Sequence, residues 1–157
     1  MRKIIELETP KEHYQGAPCI VWCFDDRFHG ALQKFREFLQ REFDIQHVDI
    51  VKVAGGARDL ASKDEDYKMK TALWEQIEAS LELHQAPWVG LMAHADCSAY
   101  GKKFANEKEE ASFYEAELVK ARDRVKEFFK GKRIDIPVKL YYADFTGLYE
   151  ISRLMTS

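Results

Sequence analysis

The run Pro18-Cys19-Ile20-Val21-Trp22-Cys23-Phe24 has no polar member, and it constrains the fold more than any other feature of the chain. A strand with one wet face alternates polar and apolar residues. An uninterrupted apolar run predicts a strand covered on both faces, as in a parallel sheet wrapped by helices. Further runs follow at 47–53, 88–93 and 136–142, and stripes at helical spacing separate them. Phe28, Leu32, Phe35 and Leu39 form the first stripe, and Met69, Leu73, Ile77 and Leu81 the second. Tyr114, Leu118, Ala121, Val125 and Phe128 form the third. This alternation predicts an α/β fold: a mainly parallel sheet of about four strands flanked by helices. The tight turn at Asp144-Phe145-Thr146-Gly147 adds a short antiparallel C-terminal edge strand running to Ile151.

Composition narrows the class. With 157 residues the chain is long enough to bury one core, so a single domain over 1–157 is expected. Hydrophobic residues make up 46%, which excludes a disordered chain. Lys and Arg number 24 against 27 Asp and Glu, so no basic surplus supports binding to nucleic acid. No apolar run approaches the roughly 18 residues of a membrane span, and the start, MRKIIELETPKEH, carries no signal-peptide core. The odd count of 3 Cys then points to a reducing cytoplasm, with thiols kept for metal or chemistry rather than disulfides.

Sites in parallel sheets form beyond the carboxyl ends of the strands. Those ends read Cys23-Phe24-Asp25-Asp26-Arg27, then Ala54-Gly55-Gly56, then His94-Ala95-Asp96-Cys97. Thiolate and imidazole are what zinc selects, and three protein ligands leave a fourth position for water. His94 and Cys97 are expected one turn apart on a helix starting at the strand end, with Cys23 closing the site from the neighbouring strand. Cys19, four residues earlier on the same strand face, lies about 13 Å from Cys23 and is expected to be a buried thiol.

In that order and on those strand ends, C-x-D-x-R (Cys23, Asp25, Arg27) and H-x-x-C (His94, Cys97) resemble the β-class carbonic anhydrases. The segment Val51 to Gly56, the Ala95-Asp96-Cys97 tripeptide and the closing Tyr141 to Gly147 hairpin are similar to further motifs of that family. The chain departs from the family at Phe24 and Asp26, where serines are usual, at Lys52 and Val53 in place of Arg and Asn, and at Ser98 in place of Gly. Asp26 is expected to compete for the Arg27 guanidinium, and Phe24 to narrow access to the pocket.

The resemblance implies Zn2+ on Cys23, His94 and Cys97, and a zinc-bound hydroxide, oriented by the Asp25–Arg27 pair, that converts carbon dioxide to bicarbonate. It also implies Gly55 and Gly56 beside the substrate, and a homodimer or dimer of dimers. Two alternatives share the same site: hydrolysis of COS or CS2, and a non-catalytic zinc protein in which Asp25 closes the metal position. A signalling receiver domain, suggested by Asp25, Asp26 and Asp96, leaves two thiols and a histidine without a task and lacks the lysine expected at the last strand end.

Overall fold

A computed structural model describes residues 3–62 and 68–152. Strands β1 (Cys19–Cys23), β2 (Asp49–Val53), β3 (Val89–His94), β4 (Val138–Ala143) and β5 (Leu148–Glu150) form one sheet in the order β2-β1-β3-β4-β5. β1 pairs in parallel with both β2 and β3, β3 pairs in parallel with β4, and β5 returns antiparallel along β4. This is the predicted sheet, with its antiparallel edge. The apolar runs at the ends of the order of burial explain the layout: β1 and β3 are buried at every position and lie inside, whereas the half-buried β2 lies at an edge.

Three helices cover the sheet: α1 (His29–Phe43), α2 (Lys68–His84) and α3 (Glu107–Lys132). Successive strand residues point to opposite faces, so β4 shows which helix covers which side. Tyr141 meets Phe35 of α1 with ring centroids 4.7 Å apart, and Tyr142 stacks on Tyr114 of α3 at 5.8 Å. α1 therefore covers one face at β4 and α3 the other. On α1 the buried stripe is Leu32, Phe35 and Leu39, as read from the spacing, while Phe28 is buried in a short 3-10 turn (Asp26–Phe28) ahead of it.

On α3 the buried stripe is Tyr114, Leu118, Ala121, Val125 and Phe129. Phe129 takes the place expected of Phe128, which is half-buried and stacks on Trp74 of α2 at 4.3 Å. Leu73 and Ile77 of α2 are buried as expected and Leu81 partly so, whereas the side chain of Met69 and residues 63–66 of the charged stretch lie outside the described residues. Among the described residues, no helix is long and apolar enough to cross a membrane.

The strand order has one consequence for chemistry. From β1 the chain goes outward to β2 on one side and then crosses to β3 on the other, so the carboxyl ends of β1 and β3 flank the point where the winding reverses. Open α/β sheets present a crevice there. Cys23 ends β1 and His94 ends β3. Continuing the Val21↔Leu91 register places Cys23 beside Ala93, one residue from His94.

Candidate metal centre

Cys23, His94 and Cys97 come together at that crevice. One ligand atom from each lies within 4.8 Å of the others, and all three residues are buried. Tetrahedral zinc bonds of 2.0–2.3 Å require ligand atoms about 3.5 Å apart, within the same range. His94 is fully buried, and its Nδ1 lies 2.7 Å from the carbonyl oxygen of Ala95. A carbonyl only accepts, so Nδ1 carries the proton and Nε2 presents a bare lone pair. Among the described residues, that Nε2 has no hydrogen-bond partner, in a position where an unpaired polar atom costs about 1–3 kcal/mol. An orphaned imidazole nitrogen facing two thiols fits a soft divalent cation.

The thiols are electronically unlike each other. The Cys23 and Cys97 side chains share a hydrogen bond, and that contact, with the backbone at Asp25, holds Cys23 well below the usual thiol range. The same contact, together with burial, pushes Cys97 up. Both side chains must be thiolates to ligate a metal, so binding there would release their protons. Cys19 stands apart in the core, its thiol pushed up to about 12 by burial against a smaller opposing hydrogen bond with Ser80.

The turn carrying Cys97 differs from the expected helix. Asp96 adopts a left-handed φ of 52°, and Cys97 is the residue preceding a 3-10 turn over Ser98–Tyr100. The reversal at Asp96, rather than a helical repeat, brings His94 and Cys97 to one place. The Cys97 N–H donates to the Tyr114 hydroxyl at 3.2 Å, and the Asp96 N–H donates to Glu110 Oε1 at 2.7 Å, so α3 holds the turn from behind. Ser98 is exposed.

Beside the trio, Asp25 caps the short turn that leaves β1. Its carboxylate accepts from the Arg27 backbone N–H at 3.1 Å, from Arg27 Nε at 3.1 Å and from Nη2 at 2.7 Å. This guanidinium fork holds Asp25 at about 2, below the ordinary carboxylate value. Asp25 Oδ2 lies 3.9 Å from His94 Nε2, so the anion borders the cluster without leaving its cation.

The sequence of a protein family described as "Putative carbonic anhydrase" matches residues 15–150. The chain belongs to that family. An uncharacterized protein of Rickettsia conorii is 29% identical over 142 residues, covering 85% of this chain and 74% of its own length. The fold is that of a β-carbonic anhydrase from Trichomonas vaginalis, with a TM-score of 0.52 at 17% identity over 93% of this chain and 87% of that one. A carbonic anhydrase from Glaciozyma antarctica has a TM-score of 0.50 at 14% identity, over 88% of this chain and 84% of its own.

Two expectations about this family member's neighbourhood change. Arg27 has a second carboxylate partner, but it is Asp96 and not Asp26: Nη1 donates to Asp96 Oδ2 at 2.8 Å and Nη2 to the Asp96 carbonyl at 3.0 Å. Phe24 is exposed, whereas Phe28 packs its ring 4.3 Å from that of His94 and Phe145 lies on Phe28 at 5.6 Å. Gly55 and Gly56 stand at the end of β2 with φ of 78° and 56°. A Cβ on Gly56 would collide with the Met92 carbonyl oxygen and lie 3.3 Å from the Cys23 nitrogen. Its lack of a side chain lets the 56–61 turn close on the ends of β1 and β3 behind the cluster.

Asp96, Glu110, Tyr114 and Phe28 were not identified as site residues by sequence reasoning. Only Asp96 left a signal, as the acidic residue between two candidate ligands.

Proposed function

We propose that this protein hydrates carbon dioxide to bicarbonate with Zn2+ held by Cys23, His94 and Cys97. The observation that carries the reading is the unpartnered, buried Nε2 of His94 facing two thiols beside an ionised Asp25. A zinc ion held there would supply Lewis acidity, favouring hydroxide over water near neutral pH. Two thiolates and a neutral imidazole cancel the charge of the ion, so acidification is weaker than with three histidines and the surrounding residues must supply the rest.

Asp25 is suited to that task. Held ionised by Arg27, it is acceptor-only at neutral pH and takes a hydrogen bond from the nucleophilic oxygen, turning that oxygen's lone pair toward the substrate carbon. Arg27 fixes the carboxylate through two parallel N–H···O bonds, which set its direction as well as its charge. The same reading puts the backbone of Gly55 and Gly56, closed behind the cluster, at the base of the pocket on the β2 side. Phe28 shields the imidazole from water, and its apolar ring suits a small linear substrate. The reaction joins hydroxide to the carbon of CO2, and the proton left from water passes to buffer.

The same reading includes a homodimer or dimer of dimers, supported by the exposed aromatics Phe24, Phe38, Phe43 and Phe145. It also includes a cytoplasmic location, where reducing conditions would keep the thiols free for a metal.

Stopped-flow hydration of CO2 by the zinc-loaded protein tests the activity, with COS and CS2 hydrolysis measured on the same preparation. Hydration well above buffer, falling by about 10²-fold or more in Asp25→Asn at equal zinc content, is expected. A rate equal to buffer at one zinc per chain overturns the reading, and hydrolysis of COS or CS2 alone transfers the same site to that substrate.

A further inference from the structure

We infer that Asp96 is a positioning residue that keeps the metal position open, by holding Arg27 so that Arg27 holds Asp25. The inference rests on the reading that Cys23, His94 and Cys97 bind a metal, and it deepens that reading by naming what controls access to the fourth position.

Asp25 stands between two cations. One is the guanidinium, whose fork takes both carboxylate oxygens. The other is the ion that the orphaned Nε2 awaits: Asp25 Oδ2 is 3.9 Å from that nitrogen, and a zinc–nitrogen bond is about 2.0–2.1 Å. A carboxylate so close to a divalent ion reaches it with a small rotation, and on binding it would fill the open coordination position. Whether it does so depends on how firmly Arg27 keeps it.

The fork sets Asp25 only as firmly as the guanidinium itself is held, and the Arg27 side chain is long, 44% exposed and arises from a three-residue turn. Asp96 changes this from the other side. Its carboxylate takes Nη1 and its carbonyl takes Nη2, so Nε and both terminal nitrogens of Arg27 are engaged and the fork has one orientation. Asp96 is itself held by its N–H to Glu110 on α3. The chain of restraint runs from α3 through Glu110, Asp96 and Arg27 to Asp25. It joins the end of β3 to the end of β1 across the crevice where a substrate would enter. Asp26 takes no part in it.

Asp is also a residue that tolerates left-handed φ, and a turn function alone would account for its presence. Asp96→Gly separates the two roles, because glycine keeps the turn and deletes the carboxylate. Asp96→Asn preserves the side-chain shape without the charge and guards against a folding defect in the first variant.

The test uses Co(II)-loaded protein and titrates its visible d–d band with thiocyanate, a probe of the open position that requires no turnover. Wild type is expected to bind thiocyanate, Asp96→Gly to bind about tenfold more weakly, and Asp96→Asn to fall between. In an Asp25→Asn background, Asp96→Gly should change the affinity by less than about twofold, because the closing carboxylate is gone. Unchanged affinity in Asp96→Gly overturns the inference. So does a loss that persists in the Asp25→Asn background, which would show Arg27 acting on the anion directly. Binding by Asp25→Asn but not by wild type also overturns it, since the position would already be closed. Failure of the wild type to take up one cobalt per chain defeats the metal reading itself.

Discussion

Substituting alanine for Gly56 should disrupt the base of the metal centre, and a matched control allows the size of the effect to be calculated. Gly56 and Gly101 have nearly the same left-handed φ, 56° and 60°. Among the described residues, a Cβ on Gly101 meets nothing within 4 Å, whereas one on Gly56 overlaps the Met92 carbonyl oxygen and presses on the Cys23 nitrogen. Both variants incur the left-handed strain of about 1 kcal/mol, and both reduce the freedom of the unfolded chain equally. Only Gly56→Ala must also separate two backbones in the core, an overpacking that adds about 2 kcal/mol. Gly101→Ala should therefore lower stability by about 1 kcal/mol and Gly56→Ala by about 3 kcal/mol. Urea unfolding of the metal-free proteins, in chelator and at equal m-values, measures both. Agreement of the two variants within about 0.5 kcal/mol would refute the steric argument, because it would mean that the 56–61 turn is not packed against the ends of β1 and β3.

Other expectations follow from the contacts around the centre. Tyr114→Phe removes the acceptor of the buried Cys97 N–H and should lower stability by about 1–2 kcal/mol in the same urea assay; no change would show that the amide finds another partner. Asp25 in the folded state titrates at about 2, below its ordinary 3.8, so its pairing stabilises the metal-free protein above about pH 4 and is lost as the pH falls toward 2. The stability difference between wild type and Asp25→Asn should accordingly be constant above pH 4 and shrink below it, and a difference that grows on acidification would contradict the sign. Cys19, with its thiol at about 12, should escape iodoacetamide at pH 8 until the protein is unfolded. Mass spectrometry of the native protein reads this, and labelling at the rate of a free thiol would contradict it.

The sheet was legible because burial on both faces leaves a simple mark. The runs containing β1 and β3 are apolar throughout and lie in the sheet's interior, and the turn before β5 announced the antiparallel edge. The three candidate ligands were legible for a related reason: parallel strands all end on one side, so residues 71 positions apart (94 − 23) can be placed together without knowing the intervening path.

Local geometry was not legible. A spacing of three between His94 and Cys97 suits a helical turn, but the chain uses a left-handed residue, and aspartate only permits that conformation without announcing it. Helical spacings of three and four are equally good neighbours, so Phe128 and Phe129 could not be separated before the position of Trp74 was known. The contact of Arg27 with Asp96 spans 69 residues and depends on side-chain direction across the crevice, whereas the adjacent Asp26 was only near in sequence.

The measurement that bears most directly on the metal centre is zinc content and X-ray absorption of the protein purified from zinc-supplemented cells, compared with Cys23→Ser and His94→Ala. One zinc per chain is predicted, with two sulfurs at about 2.3 Å and one imidazole nitrogen at about 2.0 Å, and with most of the metal lost in either variant. Protein that carries no zinc, or variants that keep a full equivalent with an unchanged spectrum, would contradict the account.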